Sequence, residues 1–253
     1  MSAANQPIPV AVHGAEGRMG RLVTRLVADE PDLKLVGLIT EPGRSQPVGD
    51  FHAKLPLLGQ DQMADHLPPG CVVIDFSLAP ALEGFLDQSG RLGCPLVSGT
   101  TGYTEQQWQQ LRDYSSRKPV VHANNYSVGI PALQMLLQLL ARTLPASFDA
   151  EQVETHHITK LDKPSGTAAH LARAFGEIRG GEDVPTHSQR LGGVIGEHTW
   201  TFSDQEETLV LTHRAHSRQA FTRGILPSVR HVATKDAGYF NLMDVLQEMG
   251  GRG

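Results

Sequence analysis

Cysteines and long apolar runs are both scarce in this sequence, and each shortage excludes a class of protein. Two of the 253 residues are cysteines, Cys71 and Cys94, which is too few for a disulfide-stapled secreted scaffold and lacks the spacing of zinc ligands. We expect both to be reduced thiols in the core. The longest apolar stretch, residues 133–141, is interrupted by Gln134 and Gln138, so no membrane-spanning segment is predicted.

Clusters of basic residues are also missing. The formal net charge is −5, and no run of Lys and Arg offers a stripe for a phosphate backbone, so nucleic-acid binding is not expected. Residues 1–9 lack the basic region and apolar core of a secretory signal. The 12 histidines show no H-E-x-x-H or similar spacing, so no metal site is predicted. These exclusions predict a cytoplasmic globular protein without nucleic-acid or membrane partners.

The first half of the chain alternates apolar strands with helical patterns. A capping box of Thr104 and Gln107 starts the helix before the last of these strands. Alternation with short connections predicts an α/β fold, a Rossmann-like doubly wound parallel sheet. The predicted strands are Ile8–Val12, Leu33–Ile39, Cys71–Phe76, Pro95–Ser98 and Val120–Ala123.

The pattern changes near residue 128, which predicts a second, mixed α+β domain over residues 128–215. The tail is predicted to form a helix over Ser217–Ala233 and to pack back on the first domain, which then spans residues 1–127 and 216–253. The elements predicted for the second domain are a helix over Pro131–Leu144, a strand over Glu151–Thr155, a helix over Ala168–Phe175, an extended stretch over His187–Val194, and a hairpin of His198–Phe202 with Thr208–His213.

A glycine-rich turn lies between the first predicted strand and helix. Gly14, Gly17 and Gly20 permit a tight turn and close approach of the backbone to a pyrophosphate. Arg18 could add a charge-assisted contact to phosphate. The spacing is G-x-x-G-x-x-G rather than the usual G-x-G-x-x-G, so a plain strand-to-helix turn is the alternative.

Polar residues that follow later strands suit a nicotinamide cofactor. Residues 99–102 and 123–126 follow the fourth and fifth strands, at the edge where doubly wound sheets bind ligands. The end of the second strand gives mixed indications: Glu41 favours NADH, whereas Arg44 or Arg18 could reach the 2′-phosphate of NADPH. The preference between the two cofactors stays open.

The most specific chemistry lies in residues 156–167. His156, His157 and Lys160 provide proton donors for a reaction near neutral pH. The residues 165–167 (Ser-Gly-Thr) open a helical pattern, whose unpaired N–H groups and dipole suit a carboxylate or phosphate. Together they predict a small acidic substrate that receives a proton. A histidine-rich surface loop is the alternative for the histidines alone.

At this point the chain resembles the dihydrodipicolinate reductase family, the NAD(P)H-dependent 4-hydroxy-tetrahydrodipicolinate reductases of the diaminopimelate route to lysine. The segment ETHHITKLDKPSGTA at residues 154–168 is the most specific match. The other matching segments, in family order, are residues 10–20 (VAVHGAEGRMG), 73–77 (VIDFS), 98–102 (SGTTG), 123–129 (ANNYSVG), 192–202 (GGVIGEHTWTF) and 213–224 (HRAHSRQAFTRG).

The resemblance implies a role for individual residues. His156 matches the proton donor and acceptor of the family, and Lys160 its proton donor. The resemblance also implies a cyclic-imine dicarboxylate as substrate, NADPH or NADH as cofactor without a metal, and a homotetramer built by the sheet of the second domain. The substrate-contacting positions are His157, Ser165, Gly166 and Thr167. The cofactor-contacting positions are Gly14, Ala15, Glu16, Gly17, Arg18, Met19, Thr40, Gly99, Thr100, Thr101, Ala123, Asn124, Asn125 and Tyr126.

Departures from the family pattern keep two alternatives open. The family usually has alanine at the position of Lys163, an A-P-N-F type segment at 123–126, and a charged cofactor selector where Thr40 and Glu41 stand. Lys163, Asn124 and Thr40 therefore favour a sister reductase that acts on a different cyclic imine carboxylate. A non-catalytic NAD(P)-binding sensor is the second alternative, and the intact proton-donor set argues against it.

Overall fold

A computed structural model describes residues 6–43, 46–47 and 55–250. The chain divides into two compact units, Met1–Tyr126 with Phe221–Gly253, and Ser127–Ala220. In chain order the elements of the first unit are β1 (Ile8–His13), α1 (Arg18–Ala28), β2 (Leu33–Thr40), β3 (Gln46–Pro47), β4 (Pro56–Gly59), α2 (Met63–His66), β5 (Val72–Asp75), α3 (Leu82–Leu92), β6 (Leu96–Ser98), α4 (Glu105–Ser115) and β7 (Val120–His122). The second unit contains α5 (Gly129–Thr143), β8 (Asp149–His156), α6 (Gly166–Ile178), β9 (Thr186–Arg190), β10 (Glu197–Ser203) and β11 (Thr208–Arg214). The chain then returns to the first unit with α7 (Ile225–Val232), β12 (Tyr239–Phe240) and α8 (Leu242–Gly250).

The first unit is built around one sheet with the strand order β12-β7-β6-β5-β1-β2-β4-β3. Only β3 runs antiparallel to its neighbour, which confirms the predicted doubly wound fold. Val10, Ala11 and Val12 are fully buried, because apolar helices cover both faces of a parallel sheet. The strand order reverses at β1, so the crevice of the fold lies beyond His13 and Asp75, where β1 and β5 end.

The second unit has a four-stranded sheet with the order β11-β10-β8-β9. Helices α5 and α6 cover one face, where Trp200 and Phe202 are fully buried and pack on Phe175. Side chains alternate along a strand, so Thr199 and Thr201 of β10 point to the opposite face and are partly exposed. His198 and His213 lie directly opposite each other in the predicted hairpin.

Three predictions of local structure were incomplete or wrong. The strands β3, β4 and β12 are two to four residues long, too short for a periodic pattern to show. The predicted helix over Ser217–Ala233 is divided into a 3-10 turn (Arg218–Thr222) and α7. Gly224 separates them because its N–H donates to the Tyr126 carbonyl at 2.7 Å, and a Cβ there would lie 2.8 Å from that oxygen. The strand predicted to reach Val194 ends at Arg190.

Both cysteines lie in the core of the first unit. Cys71 and Cys94 are fully buried free thiols, and their sulfur atoms are 3.7 Å apart. Across the described residues, no helix combines the length and the apolar character that a bilayer crossing requires.

Candidate active site

A buried carboxylate and a neighbouring imidazole form a pair at the end of β8 in the second unit. The Glu154 carboxylate is fully buried, and its Oε2 lies 2.5 Å from Nδ1 of His156, the last residue of the strand. Burial alone would raise the pKa of Glu154, but hydrogen bonds from Arg190, Ser188 and His156 outweigh it and lower the pKa to about 2. The carboxylate is therefore ionised at neutral pH.

His156 lies closer to solvent than its partner. Its side chain is 12% exposed, and burial lowers its pKa, which the Glu154 carboxylate opposes only in part. The imidazole is therefore neutral near pH 7. An ionised carboxylate can only accept hydrogen bonds, so Nδ1 carries the proton and Nε2 presents a lone pair.

Arg190 ties the loop after β8 to the same carboxylate. Its Nη2 donates to Glu154 Oε1 at 2.8 Å, and its Nε donates to the Lys160 carbonyl at 3.2 Å. The guanidinium also donates to the carbonyl of Asp162. A side chain that is only 4% exposed thus fixes the backbone of the loop on both sides of Leu161. Sequence reasoning missed both Glu154 and Arg190 as site residues.

Lys160 and Asp162 form an ion pair on this loop. The Lys160 ammonium lies 2.8 Å from the Asp162 carboxylate, with the lysine side chain 24% exposed. A hydrogen bond from Lys160 is the main cause that lowers the pKa of Asp162, and the backbone N–H of Gly166 adds to the shift. The Asp162 carboxylate therefore lies between Lys160 and the start of α6. The sequence predicts that a substrate carboxylate binds at this helix start.

Ser165, a predicted substrate contact, caps the start of α6. Ser165 is buried, its Oγ accepts from the Ala168 N–H at 3.2 Å, and its own N–H donates to Glu154 Oε1 at 3.3 Å. Its hydroxyl oxygen is the N-cap of the helix rather than part of an open binding surface. The first-turn N–H groups available to a substrate anion are those of Gly166 and Thr167.

The remaining histidines near this loop are buried to different degrees. His157 is partly exposed, and its Nδ1 lies 2.7 Å from Thr159 Oγ1. The His198 ring packs edge-on against His156 with centroids 5.5 Å apart, and burial lowers its pKa to about 4. His213 lies 3.3 Å from Ser127 Oγ through its Nε2. Among the described residues, no group of three or more His, Cys, Asp or Glu side chains is arranged to hold a metal ion.

The glycine-rich turn of the first unit has the shape of a dinucleotide cradle. Gly14 has φ +74°, and a Cβ there would lie 2.5 Å from the Phe76 carbonyl oxygen. A Cβ on Gly20 would lie 2.0 Å from the Gly14 oxygen. Gly17 is the N-cap of α1 and offers no side-chain acceptor to the first turn. The exposed N–H groups at the positive end of this helix fit a pyrophosphate.

Glu16 of this turn is linked to the end of β2. Thr40 Oγ1 donates to Glu16 Oε2 at 2.7 Å, and Thr40 is buried. The hydrogen bond places a carboxylate where doubly wound folds receive the ribose hydroxyls of the cofactor. Arg44, the predicted phosphate contact, lies outside the described residues. Arg18 and Glu41 are exposed.

A second buried carboxylate lies beneath the loop at residues 99–102. Asp75 Oδ2 accepts from Thr100 Oγ1 at 2.7 Å and Ser98 Oγ at 3.1 Å, and its Oδ1 lies 2.9 Å from His13 Nδ1. Burial alone would raise the pKa of Asp75, but the partners, His13 foremost, lower it to about 2. Thr100, a predicted cofactor contact, is thereby turned inward and is buried.

Tyr126, another predicted cofactor contact, lies in the core. The side chain is 1% exposed, and its hydroxyl donates to the Ser98 carbonyl at 2.9 Å, so it joins the ends of β6 and β7. Burial raises its pKa well above the usual range. A Cβ on Gly99 would lie 2.1 Å from the Phe76 ring, so packing alone requires a glycine there. Of the predicted cofactor contacts at this edge, Thr101 and Asn124 are exposed, and Ala123 and Asn125 are partly exposed.

Two family models match consecutive parts of the chain. The model described as "Dihydrodipicolinate reductase, N-terminus" matches residues 8–126, and the model described as "Dihydrodipicolinate reductase, C-terminus" matches residues 129–246. The boundary between them falls at residues 127–128, next to the point where the first unit ends at Tyr126.

Curated relatives and a solved structure agree with these matches. A 4-hydroxy-tetrahydrodipicolinate reductase of Xanthomonas axonopodis pv. citri is 37% identical over 240 residues, which cover 94% of this chain and 98% of the relative. A protein of the same name from Stenotrophomonas maltophilia is 37% identical over 245 residues, with 95% and 98% covered. The dipicolinate-bound dihydrodipicolinate reductase from Paenisporosarcina sp. TG-14 shares the fold, with a TM-score of 0.77, 23% identity, and 94% of this chain and 99% of that chain covered.

Proposed function

This chain belongs to the dihydrodipicolinate reductase family, and we propose that it reduces 4-hydroxy-tetrahydrodipicolinate to tetrahydrodipicolinate with NAD(P)H, in the diaminopimelate route to lysine. The observation that carries the proposal is the Glu154–His156 pair, with Lys160 on a loop that Arg190 fixes to the same carboxylate. A sensor that only binds a nucleotide has no use for an oriented imidazole and an amine beside an anion site.

The two units have separate roles in this proposal. The first domain, residues 1–127 and 216–253, binds the cofactor, and the second, residues 128–215, binds the substrate. Two anion sites support this division: the start of α1, which has no side-chain cap, and the N–H groups of Gly166 and Thr167, which the Ser165 side chain does not cap.

The cofactor, when bound, supplies the hydride. The first-turn N–H groups of α1 and the nearby Arg18 hold its pyrophosphate, and the Glu16 carboxylate receives a ribose hydroxyl. We propose that NADH is preferred over NADPH, because a carboxylate at the end of β2 repels a 2′-phosphate. The exposed segment at residues 123–125 lies at the edge where the nicotinamide of such folds binds.

The substrate is held by its carboxylates. Gly166 and Thr167 present N–H groups at the positive end of α6, where a carboxylate is stabilised. A substrate carboxylate that binds there takes the place of the Asp162 side chain next to Lys160. His157 contributes a further polar contact in this proposal. Held in this way, the ring keeps one orientation relative to Lys160.

Lys160 and His156 divide the proton transfer between them. The 4-hydroxyl of the substrate leaves as water, which gives a conjugated cyclic imine. After the hydride adds to C4, the neighbouring ring carbon develops negative charge and takes a proton from the Lys160 ammonium. His156 is neutral near pH 7 and presents the lone pair of Nε2. In this proposal it therefore accepts a proton rather than donates one. General acid catalysis of this kind contributes typically about 10²- to 10⁴-fold.

We further propose that the protein is a homotetramer of the cytoplasm. The face of the second sheet opposite α5 and α6 has Thr199 and Thr201 beside Val210, whose side chain is 53% exposed. Such a mixed apolar and hydroxyl face supports an interface between copies of the chain. The two buried thiols, Cys71 and Cys94, fit a reducing compartment. Light scattering after size exclusion measures the assembly, and a monomer would contradict it.

A coupled assay tests the proposed reaction. The preceding synthase generates 4-hydroxy-tetrahydrodipicolinate in situ, and the loss of nicotinamide absorbance is followed separately for NADH and NADPH. We expect substrate-dependent oxidation of both cofactors, with a higher kcat/KM for NADH. Cofactor binding without oxidation of either one would contradict the proposal and favour a sensor. Oxidation only with other cyclic imine carboxylates would favour a sister reductase.

A further inference from the structure

Glu154 connects three parts of the candidate active site in the second unit. Its Oε2 lies 2.5 Å from His156 Nδ1, and its Oε1 accepts from Arg190 at 2.8 Å and from the Ser165 N–H at 3.3 Å. One fully buried carboxylate thus connects the imidazole, the guanidinium that grips the loop at Lys160, and the start of α6. A buried charge with this many partners is stabilised only while all of them stay in place.

Glu154 determines which ring nitrogen of His156 carries the proton. The carboxylate accepts the Nδ1 proton, so the neutral ring has its lone pair at Nε2, on the side away from Glu154. The other titratable and charged groups facing this ring are Lys160, Arg190 and His198. Lys160 and Arg190 are cations and His198 is a second imidazole, so Glu154 is the acceptor that fixes the tautomer.

We propose that Glu154 is the positioning residue of this enzyme: it holds His156 as the Nδ1–H tautomer and, through Arg190, keeps Lys160 beside it. The inference rests on the proposed function for its effect on turnover, but the tautomer itself does not. Glu154 does not reach the substrate in this proposal and acts only through His156 and the loop.

The isosteric change Glu154→Gln tests the proposal. A glutamine amide keeps an acceptor for Arg190 but turns an N–H donor toward Nδ1, so the proton moves to Nε2. We expect kcat to fall about 10²-fold or more with a smaller change in KM, and the pH profile to lose its His156 limb. NADH affinity, measured by fluorescence titration, should not change. Glu177→Gln, which removes an exposed carboxylate from α6 of the same unit, is the matched control.

A double-mutant cycle separates positioning from general stability. If Glu154 acts through His156, Glu154→Gln should lower kcat by a much smaller factor in a His156→Ala background than in the wild type. Equal losses in both backgrounds would overturn the proposal. The two single variants and the double variant are assayed at a temperature at which thermal unfolding shows each of them to be folded. A fall in the folded fraction is then not counted as lost catalysis.

The wild-type protein provides a measurement that needs no Glu154 variant. Long-range proton–nitrogen correlation spectra, with the signal assigned by its loss in His156→Gln, report which ring nitrogen carries the proton. We expect Nδ1–H near pH 7, and an Nε2–H ring would overturn the proposal. If the tautomer is as expected but 4-hydroxy-tetrahydrodipicolinate is not reduced, then the proposed function fails and the positioning role of Glu154 stands.

Discussion

The two units contain the same buried pair in two settings. In the first, Asp75 at the end of β5 lies 2.9 Å from Nδ1 of His13, and in the second, Glu154 lies 2.5 Å from Nδ1 of His156. Both carboxylates have a pKa lowered to about 2. His13 is 2% exposed and stacks on Phe85, whereas His156 ends its strand near the surface. Access to solvent, rather than the pair itself, separates a structural role from a chemical one.

The remaining partners of each carboxylate strengthen this distinction. Asp75 binds the hydroxyls of Ser98 and Thr100, so it fixes the loop that follows β6 within its own unit. Glu154 binds Arg190 and, through it, the loop of Lys160, which carries a partly exposed ammonium. We infer that the first cluster, which consists of Asp75 with His13, Ser98 and Thr100, shapes a cofactor surface. We infer likewise that the second cluster, which consists of Glu154 with His156, Arg190 and Lys160, contains the reacting groups.

The largest expected effect concerns the second cluster. Lys160→Ala should lower kcat by about 10²- to 10⁴-fold, because the proton donor is removed. NADH affinity should stay nearly unchanged, since the proposed cofactor contacts lie in the first unit. The neighbouring Lys163→Ala is the comparison, and we expect its effect mainly in KM. Wild-type turnover in Lys160→Ala would remove this residue from the mechanism.

Acid should weaken both clusters together. Each carboxylate has a folded pKa of about 2, below its unfolded value of about 4, so its contribution to stability is present above about pH 4 and is lost as the pH falls toward 2. We expect the free energy of unfolding to decrease by on the order of 3 kcal/mol over this range. Urea titrations at several pH values measure it, and a flat profile would contradict the ionised state of both groups.

Asp75→Asn tests whether the first cluster contributes to stability rather than to turnover. The asparagine leaves His13, Ser98 and Thr100 with a weaker partner in a buried site, and we expect a loss of about 2 kcal/mol in unfolding free energy. kcat should change far less than in Glu154→Gln. Asp87→Asn, at an exposed position of α3, is the control. A large loss of kcat without a loss of stability would show that the first cluster takes part in the chemistry.

The smallest expected effect concerns the choice of cofactor. Glu16→Gln keeps the hydrogen bond from Thr40 but removes the charge at the end of β2. We expect the ratio of Kd values for NADPH and NADH to shift about tenfold toward NADPH, because the repulsion of a 2′-phosphate is lost. Fluorescence titration of both nucleotides measures the ratio. An unchanged ratio would assign the selection to another residue.

Local patterns predicted much of the fold. The apolar runs of β1, β2 and β5 indicated a parallel sheet, the Thr104–Gln107 capping box marks the start of α4, and the hairpin register places His198 opposite His213. Each of these depends on residues close in the sequence or on simple alternation. The tail helix was not predicted correctly, because Gly224 interrupts it through a contact with Tyr126.

The contacts that organise the candidate site could be predicted only in part. Glu154 lies two residues before His156 on a strand, so its position on the same face was available from the sequence. Arg190 is 36 residues from Glu154, and the contact depends on the parallel register of β8 and β9. The inward turn of Ser165 and the burial of Tyr126 depend likewise on packing. Sequence pattern does not determine such orientations.

The central claim is that the His156–Lys160 cluster performs the proton transfer during reduction. Single-turnover oxidation of bound NADH tests this claim most directly. Wild-type protein and a His156→Ala/Lys160→Ala double variant are loaded to the same NADH occupancy and then mixed with substrate made in situ. The account predicts a rate at least about 10²-fold lower in the double variant. Equal rates in the two proteins would contradict it.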